Sequence, residues 1–78
     1  MAILRLFASA REAAGTSRDS FDGTTVADIL EAAKQRYGSE FVKVLDTCRV
    51  WVNGEPAAAN DVVSSSDEVA VLPPVSGG

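Results

Sequence analysis

Histidine is absent from the 78-residue sequence, and cysteine occurs once, at Cys48. The commonest general base and metal ligand is therefore missing, and a tetrahedral zinc site would need several Cys or His ligands. The sequence also lacks a nucleophile elbow, a P-loop and a dinucleotide-binding fingerprint. We therefore expect no metal site, and no free-standing catalysis from so small a chain.

Long apolar runs are also missing. No run approaches the roughly 20 residues that a membrane span requires, and Arg5 interrupts the apolar N-terminus where a signal peptide would need its hydrophobic region. A single cysteine cannot form an intrachain disulfide, which fits a reducing compartment. We expect a cytoplasmic protein with no membrane partner. Cys48 is interpreted as a small core residue rather than a sulfur relay.

Acidic residues outnumber basic ones, 11 to 7, which gives a net charge of −4. A negative surface repels phosphate backbones, so we expect no nucleic-acid partner. An acidic chain instead suits a partner protein with a basic patch. The ordinary hydrophobic content, 46%, and the short length predict one folded domain over residues 1–78.

The hydrophobic pattern predicts an α+β fold with one main helix. An apolar stripe at helical spacing runs from Val26 to Tyr37, with Thr25 and Asp28 as its capping box and Gly38 as its end. Short helical turns are predicted at 9–15 and 41–45, and strands at 3–8, 17–21, 49–53, 55–58 and 69–72. One helix can cover only one face of the sheet. The residues predicted to be buried together are Leu4, Leu6, Ile29, Leu30, Val50, Val52, Val69 and Val71.

Residues 73–78, PPVSGG, end the sequence. Pro73 and Pro74 stop the last strand and keep its exit extended, while Gly77 and Gly78 remove every side chain from the end. Six extended residues reach at most about 20 Å, so the terminal carboxylate could enter a partner's narrow cleft. A carboxylate joined there to AMP becomes an electrophile, which a sulfur nucleophile can convert to a thiocarboxylate.

Two motifs and one turn resemble a known family. The opening motif is Leu6-Phe7-Ala8 followed by Arg11-Glu12 and Gly15; the closing motif is Asp67-Glu68-Val69 leading into Leu72 and the tail 73–78; the turn begins at Asn53. Together they resemble the MoaD/ThiS sulfur carriers, most closely the small, sulfur-carrying subunits of molybdopterin synthase. The resemblance covers essentially the whole chain, although Trp51 and Pro56 depart from the family pattern.

The resemblance implies a ubiquitin-like β-grasp fold: a mixed β-sheet, one main helix packed on one face, and a flexible C-terminal Gly-Gly tail. It also implies a cycle in which an E1-like enzyme uses ATP to adenylate Gly78 and then converts it to a thiocarboxylate, with Gly77 beside it. The large catalytic subunit of molybdopterin synthase would accept the tail and use the sulfur to build the molybdopterin dithiolene. The chain itself would be a carrier with no permanently bound cofactor, not an enzyme.

Strand parity predicts a partner-binding surface on the sheet face without the helix. Phe7, Trp51 and Leu72 should point away from the helix if their strand neighbours face it. A β-grasp sheet puts its last strand between the first and third, so these side chains would form one apolar patch at the root of the tail. The alternative is that segment 41–45, or a loop, covers these side chains within the monomer. The remaining predicted partner-binding residues are Arg11, Pro73, Pro74, Val75 and Ser76.

Three other functions remain open from the sequence. A carrier for thiazole or cysteine synthesis would use the same chemistry at Gly78 with a different sulfur acceptor. A protein modifier would form an isopeptide bond to a lysine through the same adenylate. A plain interaction domain would have an inert tail, and deleting Gly77 and Gly78 would then leave its function intact.

Overall fold

A computed structural model of the chain describes residues 1–74. The predicted tail residues Val75, Ser76, Gly77 and Gly78, whose Gly-Gly end the resemblance implies to be flexible, lie outside the described residues. The elements in chain order are β1 (Ala2–Leu6), α1 (Ala8–Ala14), β2 (Arg18–Phe21), α2 (Val26–Tyr37), α3 (Ser39–Leu45), β3 (Arg49–Val52), β4 (Glu55–Pro56) and β5 (Glu68–Leu72). The predicted α+β class is confirmed.

The five strands form one mixed sheet in the order β2-β1-β5-β3-β4. Strand β5 pairs parallel to β1 and antiparallel to β3, so the last strand does lie between the first and the third. The remaining neighbours, β1 with β2 and β3 with β4, are antiparallel. This topology places the C-terminal end of β5, where segment 73–78 starts, beside the last residue of β1 and the first residue of β3.

Helix α2 has the predicted bounds because both of its ends are encoded locally. Thr25 accepts a hydrogen bond from the Asp28 backbone N–H at 3.2 Å, and the Asp28 carboxylate accepts one from the Thr25 N–H at 3.2 Å. Gly38 ends the helix with φ +94°, a value that glycine adopts without steric cost. The helix buries Val26, Ile29 and Ala33 against the sheet.

The two segments predicted as short turns are helices of seven residues each. Ala8 begins α1 with φ +51°, so the first strand stops at Leu6 instead of continuing to residue 8. Phe41 of α3 is fully buried, and its ring lies 5.1 Å from that of Tyr37 on α2, measured between centroids. Segment 41–45 therefore packs among the helices, and the predicted alternative that it covers the opposite sheet face is wrong.

The predicted core is only partly correct. Leu4, Leu6, Ile29, Val69 and Val71 are buried as expected, but Leu30, Val50 and Val52 are only half-buried at the edge of the core. Leu30 and Val50 stay partly accessible because α2 does not pack closely against β3. A surface pocket of about 390 Å³ lies between α2 and β3, and Leu30 and Val50 line it. Within residues 1–74, no helix has both the length and the hydropathy to cross a membrane.

Candidate functional site

The face of the sheet without helices is built by the alternate residues of the strands. On β5, Val69 and Val71 are fully buried under the helices, whereas Ala70 and Leu72 are half-buried on the other side. The register places Trp51 of β3 opposite Ala70. The predicted side-chain parity of these strands is therefore confirmed.

A groove of about 530 Å³ crosses this face at the point where the chain leaves β5. Five of its lining residues belong to the predicted partner-binding set: Phe7, Trp51, Leu72, Pro73 and Pro74. The rest of its lining is Arg49, Gly54, Glu68 and Ala70. The structure thus brings together the three large apolar side chains and the first two residues of the tail, as strand parity predicted, while their role in binding stays a prediction.

Phe7 lies between β1 and α1 and contacts Arg5. It has extended backbone angles and stands just before α1, with 37% of its surface exposed. The Arg5 guanidinium lies 5.6 Å from the centre of the Phe7 ring, which suits a cation–π contact. Arg5 also lies 3.4 Å from the Glu68 carboxylate. Sequence analysis missed this arrangement because it joins strands β1 and β5.

Asn53 fixes the hairpin wall of the groove to the start of β5. Asn53 and Gly54 form the turn with φ values of +50° and +84°, which asparagine and glycine tolerate best. The Asn53 side chain donates to the Asp67 carboxylate at 2.8 Å and accepts from the Glu68 N–H at 2.9 Å. Hydrogen bonds from the Ser64 backbone and from Asn53 lower the pKa of Asp67. The sequence signal for this role was the Asn-Gly pair itself.

Arg11 is not brought into the groove by the structure. It lies exposed on α1, and its backbone N–H donates to the Phe7 carbonyl at 3.4 Å. Its part in partner binding therefore depends only on the motif match. The binding roles of Val75, Ser76, Gly77 and Gly78, which follow residue 74, stay predictions.

Cys48 has the environment of a packing residue. It is half-buried near Leu30 and Val50, and burial raises the pKa of its thiol. Its S–H donates to the Val44 carbonyl at 3.1 Å. Because the thiolate is the reactive form of cysteine, a raised pKa makes Cys48 a poor candidate for relaying sulfur. In the part of the chain that the structure describes, no three potential acidic, His or Cys ligands cluster closely enough to hold a metal ion.

The mixed sheet, the helices on one of its faces and the position of β5 between β1 and β3 define a ubiquitin-like β-grasp protein, and solved structures of that fold match it. The sequence matches the model of one family within this fold. The ThiS family model matches residues 4–78, and the chain therefore belongs to the ThiS family. The predicted relationship to the MoaD/ThiS carriers is confirmed.

Relatives of two kinds are similar to the chain. Small archaeal modifier protein 1 of Haloferax volcanii is 38% identical over 84 residues, covering 95% of this chain and 97% of that protein. The molybdopterin synthase sulfur carrier subunit of Chlamydomonas reinhardtii is 34% identical over 77 residues, covering 92% of each. The solution structure of small archaeal modifier protein 1 from Methanosarcina acetivorans superposes with a TM-score of 0.87 at 28% identity, covering 99% of this chain and 95% of that one. The chain thus belongs to a family that includes sulfur carriers and small ubiquitin-like modifiers.

Proposed function

We propose that the chain is the sulfur carrier of a molybdopterin synthase, with the carboxylate of Gly78 as its working group. An E1-like partner would join this carboxylate to AMP at the expense of ATP, releasing pyrophosphate. The terminal sulfur of a persulfide would then attack the acyl carbon, and AMP would leave. Cleavage of the resulting sulfur–sulfur bond by a thiol would leave one sulfur atom on Gly78 as a thiocarboxylate.

The large synthase subunit would receive this thiocarboxylate and pass its sulfur to a pterin precursor. Two such transfers would complete the dithiolene of molybdopterin. The chain contributes the sulfur and its delivery, and the partners contribute the catalytic groups. This division agrees with a sequence that has no histidine and with a single cysteine whose pKa is raised.

The observation that carries the proposal is the position of the groove relative to the tail. Leu72, Pro73 and Pro74 line the groove and are also the residues from which the tail continues. A partner that binds in the groove must therefore contact the base of the tail, and the four remaining residues can extend at most about 14 Å from there. Docking and presentation of the carboxylate are thus coupled by the short segment 73–78, in which Pro73 and Pro74 restrict the direction of the chain.

Mass spectrometry of the intact chain tests the chemistry directly. Chain purified from its own cells should contain a fraction heavier by one oxygen-to-sulfur exchange, and removal of Gly78 or addition of a residue after it should abolish that fraction. Both variants should fold normally, because the buried core that the structure describes runs from Ala2 to Val71. Retained sulfur transfer by either variant in a reconstituted assay would contradict the proposal.

A second candidate function, protein modification, is favoured by one specific observation. The relative with 38% identity is named a small archaeal modifier protein. The same adenylate of Gly78 would then react with a lysine amine instead of a persulfide. Conjugates of higher mass in cell extract, lost when Gly78 is removed, would identify this function. A carrier for thiazole or cysteine synthesis would instead give the thiocarboxylate but leave molybdopterin formation intact when the chain is deleted.

A further inference from the structure

Charge is distributed unevenly between the two sides of the sheet. The charged strand residues of the helix-free face are Arg18 on β2, Arg5 on β1, Glu68 on β5 and Arg49 on β3, as the strand register and the alternation of side chains require. Three arginines against one glutamate give these strands a net charge of +2 on this face, whereas the whole chain carries −4. The face with the apolar groove is therefore basic on an acidic protein.

The arrangement of two of these arginines is unfavourable for the isolated chain. Arg5 and Arg18 stand directly opposite each other on antiparallel strands, a position in which like charges destabilise a sheet. Glu68 offsets Arg5 at 3.4 Å. Among residues 1–74, however, the ion pairs include neither Arg18 nor Arg49. Folding alone therefore gives no reason for placing these two charges here.

Arg49 has the more informative position of the two. It lies opposite Leu72 in the sheet and lines the groove beside Pro73 and Pro74. Arg49 is exposed and lies at the end of the groove where the tail begins. Arg18 lies on the far side of β1, so the two arginines flank the apolar patch from opposite sides.

We propose that the E1-like adenylating enzyme docks on this groove and surrounds its apolar contact with carboxylate side chains, one group facing Arg49 beside the tail and another facing Arg18. The inference rests on the proposed function, which makes the groove a docking site, and it specifies the chemistry of the partner. It reverses the expectation, drawn from the net charge of −4 alone, that the partner surface is basic.

Charge and shape together favour an acidic protein over a polyanionic nucleic acid. A guanidinium binds a carboxylate through two parallel hydrogen bonds, and exposed charges at the rim of an interface mainly speed and orient association. The negative charge of the rest of the chain opposes a phosphate backbone. The same distribution turns the basic face, and with it the start of the tail, toward an acidic partner before contact.

Association kinetics with the adenylating enzyme of the source organism test the inference. We would measure the association rate constant for the full chain and for Arg49→Glu, Arg18→Glu and Lys43→Glu at about 0.05 M and about 0.5 M salt, since the higher concentration screens exposed charges. Lys43→Glu is the matched control: it changes the net charge equally, but Lys43 lies exposed on α3. Circular dichroism would verify that all variants are folded.

We expect Arg49→Glu and Arg18→Glu to lower the rate constant about tenfold at low salt, with a much smaller loss at high salt. Lys43→Glu should change it by less than about twofold. Unchanged or faster association of Arg49→Glu would overturn the inference. Leu72→Ser distinguishes a failure of the charge inference from a failure of the docking site. If Leu72→Ser weakens binding while the arginine variants do not, only the charge inference fails. If Leu72→Ser leaves binding unchanged, the groove is not the docking site. Thiocarboxylate at Gly78 is scored independently by mass.

Discussion

Asn53 and Glu68 exchange two hydrogen bonds between the β3–β4 hairpin and the start of β5. The Glu68 N–H donates to Asn53 Oδ1 at 2.9 Å, and the Asn53 N–H donates to the Glu68 carbonyl at 3.0 Å. One residue thereby sets the turn of the hairpin and the position of the strand beside it. Trp51 and Leu72, which line the groove, lie on the two elements that this contact joins.

Replacing Asn53 should therefore destabilise the domain. Asn53→Ala removes the side-chain hydrogen bonds. It also places alanine at φ +50°, where asparagine is better tolerated because its side chain can form local hydrogen bonds. We therefore expect the free energy of unfolding to fall by about 1–3 kcal/mol. Asn53→Gly removes the same bonds without the steric cost and should lose less. Urea denaturation measures both. Equal stability of Asn53→Ala and the original chain would show that the contact contributes little.

The core offers a comparison between two adjacent residues of α2. Ile29 is fully buried and Leu30 is half-buried beside the pocket between α2 and β3. Ile29→Ala should cost about 2–5 kcal/mol, as usual for a truncation that leaves a cavity. Leu30→Ala should cost clearly less, because part of its surface is already in contact with water. An equal loss for both variants in urea melts would mean that Leu30 packs as tightly as Ile29.

The N-terminus of α2 should make stability depend on pH in the acidic range. The Asp28 carboxylate accepts hydrogen bonds from the Thr24 N–H, the Thr24 hydroxyl and the Thr25 N–H. These bonds, those from Thr24 first, hold the pKa of Asp28 below its usual value. A pKa lowered by folding means that the carboxylate stabilises the fold above its unfolded pKa of about 3.9 and loses this contribution as the pH falls through the folded pKa.

Asp28→Asn should consequently be less stable than the original chain at pH 7. The difference should begin to shrink below about pH 4, where Asp28 of the unfolded chain binds a proton, and should shrink further as the pH falls toward the lower folded pKa. Thr25→Ala is the control. It removes a cap worth about 1 kcal/mol and keeps the titrating group, and among the hydrogen bonds that lower the pKa of Asp28 the Thr25 side chain contributes least. Most of its deficit should therefore persist at both pH values. Urea melts at pH 7 and pH 3 measure these differences. A deficit of Asp28→Asn that does not change with pH would contradict the assigned role.

The sequence predicted α2 and the two faces of the sheet because their signals are local. A capping box, a helical stripe and strand alternation are each contained within one segment, and the structure confirms all three. The half-burial of Leu30 and Val50 could not be predicted in this way, since it depends on where α2 lies across the sheet. The left-handed backbone of Ala8 has no signal in its side chain at all.

The candidate site likewise has features that local patterns predict and features that depend on the folded structure. Parity and topology were enough to bring Phe7, Trp51 and Leu72 into one groove. The charged surroundings were not predicted, because net charge is a sum over the chain and says nothing about which face holds the arginines. The sequence showed Arg5 only as an interruption of the apolar N-terminus, yet this residue contacts both the Phe7 ring and Glu68. Contacts between strands distant in sequence require the folded register.

The groove itself is tested by replacing its apolar side chains one at a time. Phe7 is 37% exposed and Leu72 is half-buried on the helix-free face, so each can become Ser without opening the core under the helices. Val62→Ser is the matched control, because Val62 is 79% exposed but lies on a loop outside the groove. Thermal or urea melts should show near-native folding for all three variants.

Binding should then separate the groove variants from the control. Central apolar side chains of an interface commonly carry most of its affinity, so Phe7→Ser and Leu72→Ser should each weaken binding to the large synthase subunit by about 2 kcal/mol or more, measured by titration calorimetry. Val62→Ser should bind as the original chain does. If Phe7 served only the stability of the monomer, Phe7→Ser would unfold the protein. If the partner docked on another face, the affinity would stay unchanged. Either result would refute this placement of the docking site. Loss of binding with retained folding would show that the apolar groove, and not the tail alone, is what the partner recognises.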